Sequence, residues 1–348
     1  MIIEMATDIF KHLSVAKVPE DIFGTINSGD DIDIKFTQFA KLCHPDKHKT
    51  KDKPKAEEAF KLLQEWRNRA EKKFSDGTYG QRDALDKEVT IKSRTNCYTV
   101  SRVVATGDLC DIYLATNEKS EKVVLKIPRS PKNSDLVQNE AEMLRWMREE
   151  SPTKDLDVRF HTSRLRETFD LKEGPAKKRV NVFTYKKDYV TLKEVLKAYP
   201  KGVSLRAAVW MFNRILGGLS AAYRAGIVHG AVVPSNILIC PRTHDGVLID
   251  WCYSVKAGQV IKAVIPEYKS YYPSEVFTKE KASHGIDIFM AANCFSSLLG
   301  KAKLHKPIEN LIRACRLGRA YRISDPFELY DELKAIMGPS KFEEFEMP

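Results

Sequence analysis

Gly226-Ile227-Val228-His229-Gly230-Ala231-Val232-Val233-Pro234-Ser235-Asn236-Ile237-Leu238-Ile239, followed shortly by Val247-Leu248-Ile249-Asp250, is the stretch on which the fold reading turns. An apolar approach enters a short loop that opens with His229 and closes at Asn236. A second apolar run then ends abruptly in Asp250.

The segment resembles the protein-kinase catalytic loop, H-R-D-x-K-x-x-N, and the D-F-G strand end that follows it. The resemblance puts His229 at the His of the motif, Asn236 at its Asn and Asp250 at the metal-binding Asp. Ala231 stands at the catalytic-base position and Val233 at the catalytic-loop Lys. The metal ligands are thus kept, while the proton acceptor and the charge beside the transferred phosphate are lost. General-base catalysis contributes roughly 10²–10⁴-fold, and both losses fall on the same step, so an impaired enzyme is expected. Asp250-Trp251-Cys252 replaces D-F-G. Cys restricts a backbone that Gly leaves free, so a fixed rather than switching segment is expected.

Toward the N-terminus, β-like runs at 98–104, 111–115 and 122–127 precede a predicted helix at about 134–149. Toward the C-terminus helical patterns dominate, at 205–225, 285–299 and 328–337. This is the order of the two kinase lobes, and the resemblance covers about residues 95–340. It implies that Lys126, in Val123-Val124-Leu125-Lys126-Ile127, is the strand Lys that contacts ATP phosphates and that Glu140 is its helix partner. Val182-Phe183-Thr184-Tyr185 resembles the hinge at the adenine edge, with Phe183 as gatekeeper and Tyr185 beside it. The glycine-rich pattern falls on Ala105, Gly107, Cys110 and Ile112, of which only Gly107 is retained. Side chains at the other positions should weaken close approach to phosphate. Glu275 resembles the acid of A-P-E with Arg322 as its ion-pair partner, and Asp287 the acid that braces the catalytic loop. The cofactors implied are ATP and Mg²⁺, with Asn236 and Asp250 as metal ligands.

At the other end of the chain, Phe36, Phe39, Ala40 and Cys43 form a helical stripe. His44-Pro45-Asp46-Lys47 follows, then a lysine-rich loop and a second helix over about 55–74. Ala56, Ala59, Phe60, Leu63 and Trp66 recur on that helix at helical spacing. Helix, His-Pro-Asp, basic loop, helix resembles a J-domain, the module that docks on DnaK-type chaperones and stimulates their ATPase. The resemblance assigns chaperone contact to Lys41, His44, Pro45, Asp46 and Lys47. Residues 12–34, with Ile22-Phe23-Gly24 and an acidic loop at 30–33, depart from the usual tight spacing of the first two helices.

Composition sets outer bounds. The net charge is +10, from 57 Lys+Arg against 47 Asp+Glu. Residues 1–85 contain 15 basic and 15 acidic side chains, so the excess lies beyond them. Six lysines between Lys41 and Lys55 polarise the first region locally. No nucleic-acid-binding motif accompanies the charge. No apolar run approaches the roughly 20 residues of a membrane span. Seven scattered cysteines without a C-x-x-C pair read as reduced thiols, which points to the cytoplasm.

The fold class expected is multidomain α+β. A J-domain helical hairpin at 1–80 and a linker at 81–94 precede a bilobal kinase-like domain at 95–345, with a β-rich first lobe and an α-rich second. The function expected is that of a co-chaperone that recruits and stimulates a DnaK-type chaperone. The kinase-like domain would bind a client or target, or sense nucleotide, without acting as an efficient enzyme. The alternative is a divergent kinase or nucleotidyl transferase that uses ATP and Mg²⁺.

Overall fold

The computed structural model describes residues 6–16, 18–24, 26, 28–44, 46, 53–75, 79, 89–150, 161–173, 176–301, 304–339 and 343–347. The chain divides into two compact units, Met1–Val89 and Thr90–Pro348.

The first unit is helical: α1 (Ala6–Val15), α2 (Pro19–Phe23), α3 (Gly29–Cys43) and α4 (Lys53–Ser75). Ile9, Leu13, Phe23, Ile32, Cys43, Leu63 and Trp66 share one core. Trp66 donates its indole N–H to the Leu13 carbonyl at 3.0 Å, tying α4 to α1. Arg67 meets Asp33 at 2.7 Å, and Phe60 faces both Phe36 and His44, with ring centroids at 6.3 and 5.8 Å. These contacts run in opposite order along α3 and α4, so the two helices pair antiparallel. Asp30 to Asp33, expected to be a loop, form the first turn of α3. The physical reason is their place: the Asp31 carboxylate accepts from the Ser28 backbone N–H at 3.1 Å, and acids are favourable at the positive end of a helix dipole.

The second unit begins with β1 (Val89–Lys92), which falls inside the stretch expected to be a linker. It continues with β2 (Cys97–Thr106), β3 (Cys110–Asn117), β4 (Lys122–Pro128), α5 (Ser134–Arg145), β5 (Leu165–Glu173) and β6 (Ala176–Thr184). These strands form one six-stranded sheet in the order β1-β2-β3-β4-β6-β5, with antiparallel pairing from β2 to β5. Tyr98, Val123, Leu125, Val180 and Val182 fill one core against it. The helix expected to run to 149 is α-helical only to Arg145 and then loosens into a π turn over Trp146–Glu150.

The remainder is mostly helical. β7 (Val190–Thr191), α6 (Leu192–Ala198) and α7 (Leu205–Arg224) precede four short strands, β8 (Ile227–Val228), β9 (Ile237–Cys240), β10 (Asp245–Leu248) and β11 (Val255–Lys256). β10 pairs with β9 and β11 with β8, both antiparallel, which holds the two ends of the 229–236 loop. Then come α8 (Ser274–Phe277), α9 (His284–Leu299), α10 (Lys306–Ala314) and α11 (Pro326–Met337). α9 is apolar on most of its circumference and runs through the main core, where Phe295 stacks on Phe212 of α7 at 4.5 Å. A helix apolar all round must be buried. Among the described residues no helix is long and apolar enough to cross a membrane.

Candidate functional site

The centre of the second unit is a buried ion cluster. Lys126, on β4, donates to Glu140 Oε1 at 3.0 Å, to Asp250 Oδ1 at 2.5 Å and to Cys252 Sγ at 3.2 Å. Glu140 is 1% exposed and Lys126 6%. The same Glu140 oxygen accepts the Trp251 backbone N–H at 3.1 Å, and its other oxygen accepts from Asn181 of β6 at 3.0 Å. Buried charges persist only when paired and hydrogen-bonded, and here almost every lone pair of Glu140 is used.

The electrostatics follow from these contacts. Burial alone would lower the Lys126 pKa, but Asp250 and Glu140 beside it hold it well above the ordinary lysine range. Burial raises the Glu140 carboxyl, and the Asp250 carboxylate adds to that. For Asp250 burial pulls upward too, but the Lys126 ammonium outweighs it and keeps the carboxyl below its usual value. Burial and the Glu140 carboxylate hold the Cys252 thiol neutral. The ligand atoms of Glu140, Asp250 and Cys252 lie within 4.8 Å of one another, close enough for one metal ion. The Lys126 ammonium, bonded to all three, already serves as their cation.

The loop 229–236 is built from below by Asp287. Its carboxylate, near the start of α9, accepts the backbone N–H groups of His229 at 2.6 Å and Gly230 at 2.9 Å. Burial pushes this carboxyl up to about 7, against the pull of those two donors. Gly230 has φ +71, and a Cβ there would meet the Tyr253 carbonyl at 2.9 Å, so only glycine fits this turn. His229 accepts the Ala231 N–H on Nδ1 at 3.2 Å and contacts the Ile249 carbonyl through Nε2 at 3.1 Å. That pattern assigns a neutral ring protonated on Nε2, consistent with burial pushing its pKa down to about 4. Asn236 donates to the Ala231 carbonyl at 3.1 Å, closing the loop on itself. Ala231 and Val233 are both 0% exposed.

The segment after Asp250 is clamped by α5. Asn139 donates to the carbonyls of Cys252 and Ser254 at 3.1 and 2.9 Å, next to the Glu140–Trp251 contact. Trp251 is fully buried, packs on the His229 ring at 4.4 Å and donates its indole N–H to Leu248 at 3.2 Å. Asp250 itself sits in the left-handed region, φ +62, which a non-glycine residue adopts only when its surroundings over-determine it.

A second set of contacts fastens the turn between β2 and β3. Tyr253 donates its hydroxyl to the Asp108 carboxylate. Arg129 donates to the carbonyls of Gly107, at 2.6 Å, and Asp108. Gly107 donates to Cys110 across the turn at 2.8 Å. At the far side, Glu275 and Arg322 form a buried ion pair at 2.5 Å, with Arg322 lying over Phe289.

The structure therefore brings Lys126, Glu140 and Asp250 into direct contact and places Asn236 one backbone bond away, through Ile249 N–H to Asn236 O at 3.0 Å. Phe183 is buried in the main core, opposite Val124 on β4, and Tyr185 follows the end of β6. The β6 side chain that reaches the cluster is Asn181, two residues earlier on the same face. Asn139, Asn181, Asp108 and Tyr253 were missed in the sequence, and Cys252 was read there only as a backbone restraint, not as a partner of Lys126. In the first unit His44 and Asp46 are exposed at the end of α3, with Asp46 N–H on His44 Nδ1 at 3.3 Å, and Lys41 is exposed on the last turn of α3. Pro45 and Lys47 lie outside the described residues. No protein-family model matches the chain, and no curated protein matches it.

Proposed function

We propose that this chain is a J-domain co-chaperone whose second unit is a catalytically impaired kinase-like domain used as a scaffold for a target or as a nucleotide sensor. For the first unit, support comes from the antiparallel α3–α4 pair with His44, Asp46 and Lys41 exposed at its tip. For the second, the observation that carries the reading is the Lys126–Glu140–Asp250 cluster beside a loop whose base and cation positions, Ala231 and Val233, are apolar and 0% exposed. Phosphoryl transfer is mostly positioning and electrostatics. A loop with no proton acceptor and no cation at these positions supplies neither.

The donor set fits ATP with Mg²⁺ in part. The Asn236 side-chain oxygen accepts from the Ser235 hydroxyl at 3.3 Å, and Asp250 is the one cluster carboxylate with appreciable exposure, at 20%. Oxygen ligands of this kind suit Mg²⁺. Bound there, the ion would neutralise phosphate charge, while Lys126 would turn one N–H toward the phosphates. The alternative of a divergent transferase rests on the same retained Lys126, Asn236 and Asp250.

Two measurements test the reading. The full chain should accelerate ATP hydrolysis by a DnaK-type chaperone from its own source, and His44→Gln should remove the effect while leaving the fold intact, because His44 is about half exposed. Unchanged chaperone turnover with wild type would end the co-chaperone reading. Calorimetric titration with ATP should show weak binding that needs Mg²⁺. Sustained phosphate transfer at an ordinary kinase rate, roughly 1–100 per second, would replace the scaffold reading with the enzyme one.

A further inference from the structure

Away from the Lys126 cluster, the end of α9, α10 and the turn after it enclose a cleft of about 390 Å³. Leu304, Ile312 and Leu317 form its apolar wall, and Arg313 and Arg316 its cationic side. Leu317 is 41% exposed, so an apolar surface is open at the rim.

Among the described residues no carboxylate pairs with either guanidinium. Arg316 is held from behind, donating through Nη2 to the Ala292 carbonyl at 3.2 Å and to Ser296 Oγ at 2.6 Å. Its Nε is buried without a partner. Arg313 makes one bond, to Asn310 Oδ1 at 3.2 Å. Glu309, the acid of the cleft, pairs with neither. Burial lowers the Arg316 pKa from its ordinary value, a cost that a bound anion would offset.

An apolar wall and two cations within one small cleft call for a ligand whose anion lies only a few bonds from its apolar body. A phosphoserine or phosphothreonine side chain lacks the apolar part. An internal acidic residue would bring flanking backbone amides against Leu304 and Leu317 with no partners for them. A C-terminal aliphatic residue has its carboxylate and side chain on one Cα. We propose that the cleft docks the C-terminal residue of a partner protein, its aliphatic side chain against Leu304, Ile312 and Leu317 and its carboxylate on Arg313 and Arg316. This deepens the target-binding half of the scaffold reading and names the chemistry of the target.

The test uses the full chain with labelled Leu and Ile methyl groups, followed by NMR. The probes are the peptide N-acetyl-Gly-Gly-Ser-Leu as the free acid, its C-terminal amide, and decanoate. The free acid should shift the methyls of Leu304, Ile312 and Leu317. Amidation should weaken binding about tenfold or more, the effect of losing one charge-assisted contact. Arg313→Met should weaken the free acid similarly; Arg313 is exposed and its one hydrogen bond among the described residues is to Asn310, so methyls away from the cleft should not move. Arg316→Met is the harsher variant, because it also releases Ala292 and Ser296. Equal affinity for acid and amide, or no shift at these methyls, overturns the proposal. Saturation by decanoate with the peptide silent overturns it in favour of a small amphiphile. Chaperone stimulation and ATP titration do not read these methyls, so failure of either assay is distinguishable from failure of the cleft.

Discussion

Lys126→Met removes the only cation of a cluster that also contains two carboxylates. Met fills nearly the same volume, so the change is electrostatic rather than a cavity. Glu140, 1% exposed, would keep the Trp251 and Asn181 donors but lose its counter-charge, and Asp250 would lose its 2.5 Å partner. Stranding one member of a buried pair costs about 3–5 kcal/mol. Proton uptake by Glu140 limits the loss, so about 3 kcal/mol at pH 7 is expected for the second unit. Glu140 already has a raised pKa, and without Lys126 it rises further above the unfolded value of 4.5. A raised carboxyl gives a penalty that is absent below the unfolded pKa and grows as pH climbs. The deficit should therefore shrink between pH 7 and pH 5. Glu140→Gln in the same background should recover part of it, because the amide oxygen still accepts the Trp251 N–H and the more deeply buried of the two stranded charges is gone. Urea unfolding followed by tryptophan fluorescence reads this, since Trp146, Trp210 and Trp251 lie in the second unit and Trp66 alone in the first. A loss below about 1 kcal/mol, or one equal at pH 5 and pH 7, would refute the account of the cluster as an ion network short of one charge.

Three further outcomes are expected. Tyr253→Phe frees the Asp108 carboxylate, so the β2–β3 turn should open more often and Cys110, 3% exposed, should be alkylated several-fold faster; an unchanged rate would show that Arg129 alone holds the turn. His229 stays neutral in the folded chain down to about pH 4, while its unfolded value is 6.5. The unfolded state then gains the proton first, so stability present above pH 6.5 should fall by about 3 kcal/mol toward pH 4, more steeply in wild type than in His229→Asn; equal slopes would remove His229 as the cause. The double change Ala231→Asp with Val233→Lys inserts two charges at positions that are 0% exposed, so it should lower the urea midpoint and gain no phosphotransfer; gained activity without loss of stability would mean the loop has room for the missing groups.

The sequence showed most where one periodicity acted alone. α4 keeps its apolar residues at helical spacing over six turns and runs Lys53–Ser75 against an expected 55–74. The Lys126–Glu140 and Glu275–Arg322 pairs were expected from the family resemblance, and only Lys126 stands out by itself, as a charge within an apolar run. What escaped notice was of two kinds. Asp30 to Asp33 read as a loop because their polarity conceals a helix start, which only the Ser28–Asp31 contact reveals. Asn181 reaches Glu140 across 41 residues of chain, and Asn139 reaches the carbonyls of Cys252 and Ser254 across more than 110. A neutral amide carries no charge signature in a single sequence, and its partners are set by tertiary packing alone.

These contacts change what the retained motif residues imply. Lys126, Glu140 and Asp250 are the residues that a phosphate-transfer site would keep, yet in this chain each is satisfied within the protein. Lys126 joins β4 to α5 and to the 250–252 segment, and Glu140 fixes the Trp251 backbone. Such a network is strongly penalised if any one member is removed, so it has a role in folding whether or not it has one in chemistry, and by itself it does not separate an enzyme from a scaffold. The enzyme and scaffold readings therefore have to be separated elsewhere: at Ala231 and Val233, and at the Mg²⁺ dependence of nucleotide binding. For the same reason, loss of ATP binding in a Lys126 or Asp250 variant would carry no weight unless urea unfolding showed the variant still folded. Omitting Mg²⁺ from the wild-type titration leaves the network intact, and so tests the Asn236 and Asp250 oxygens without that ambiguity.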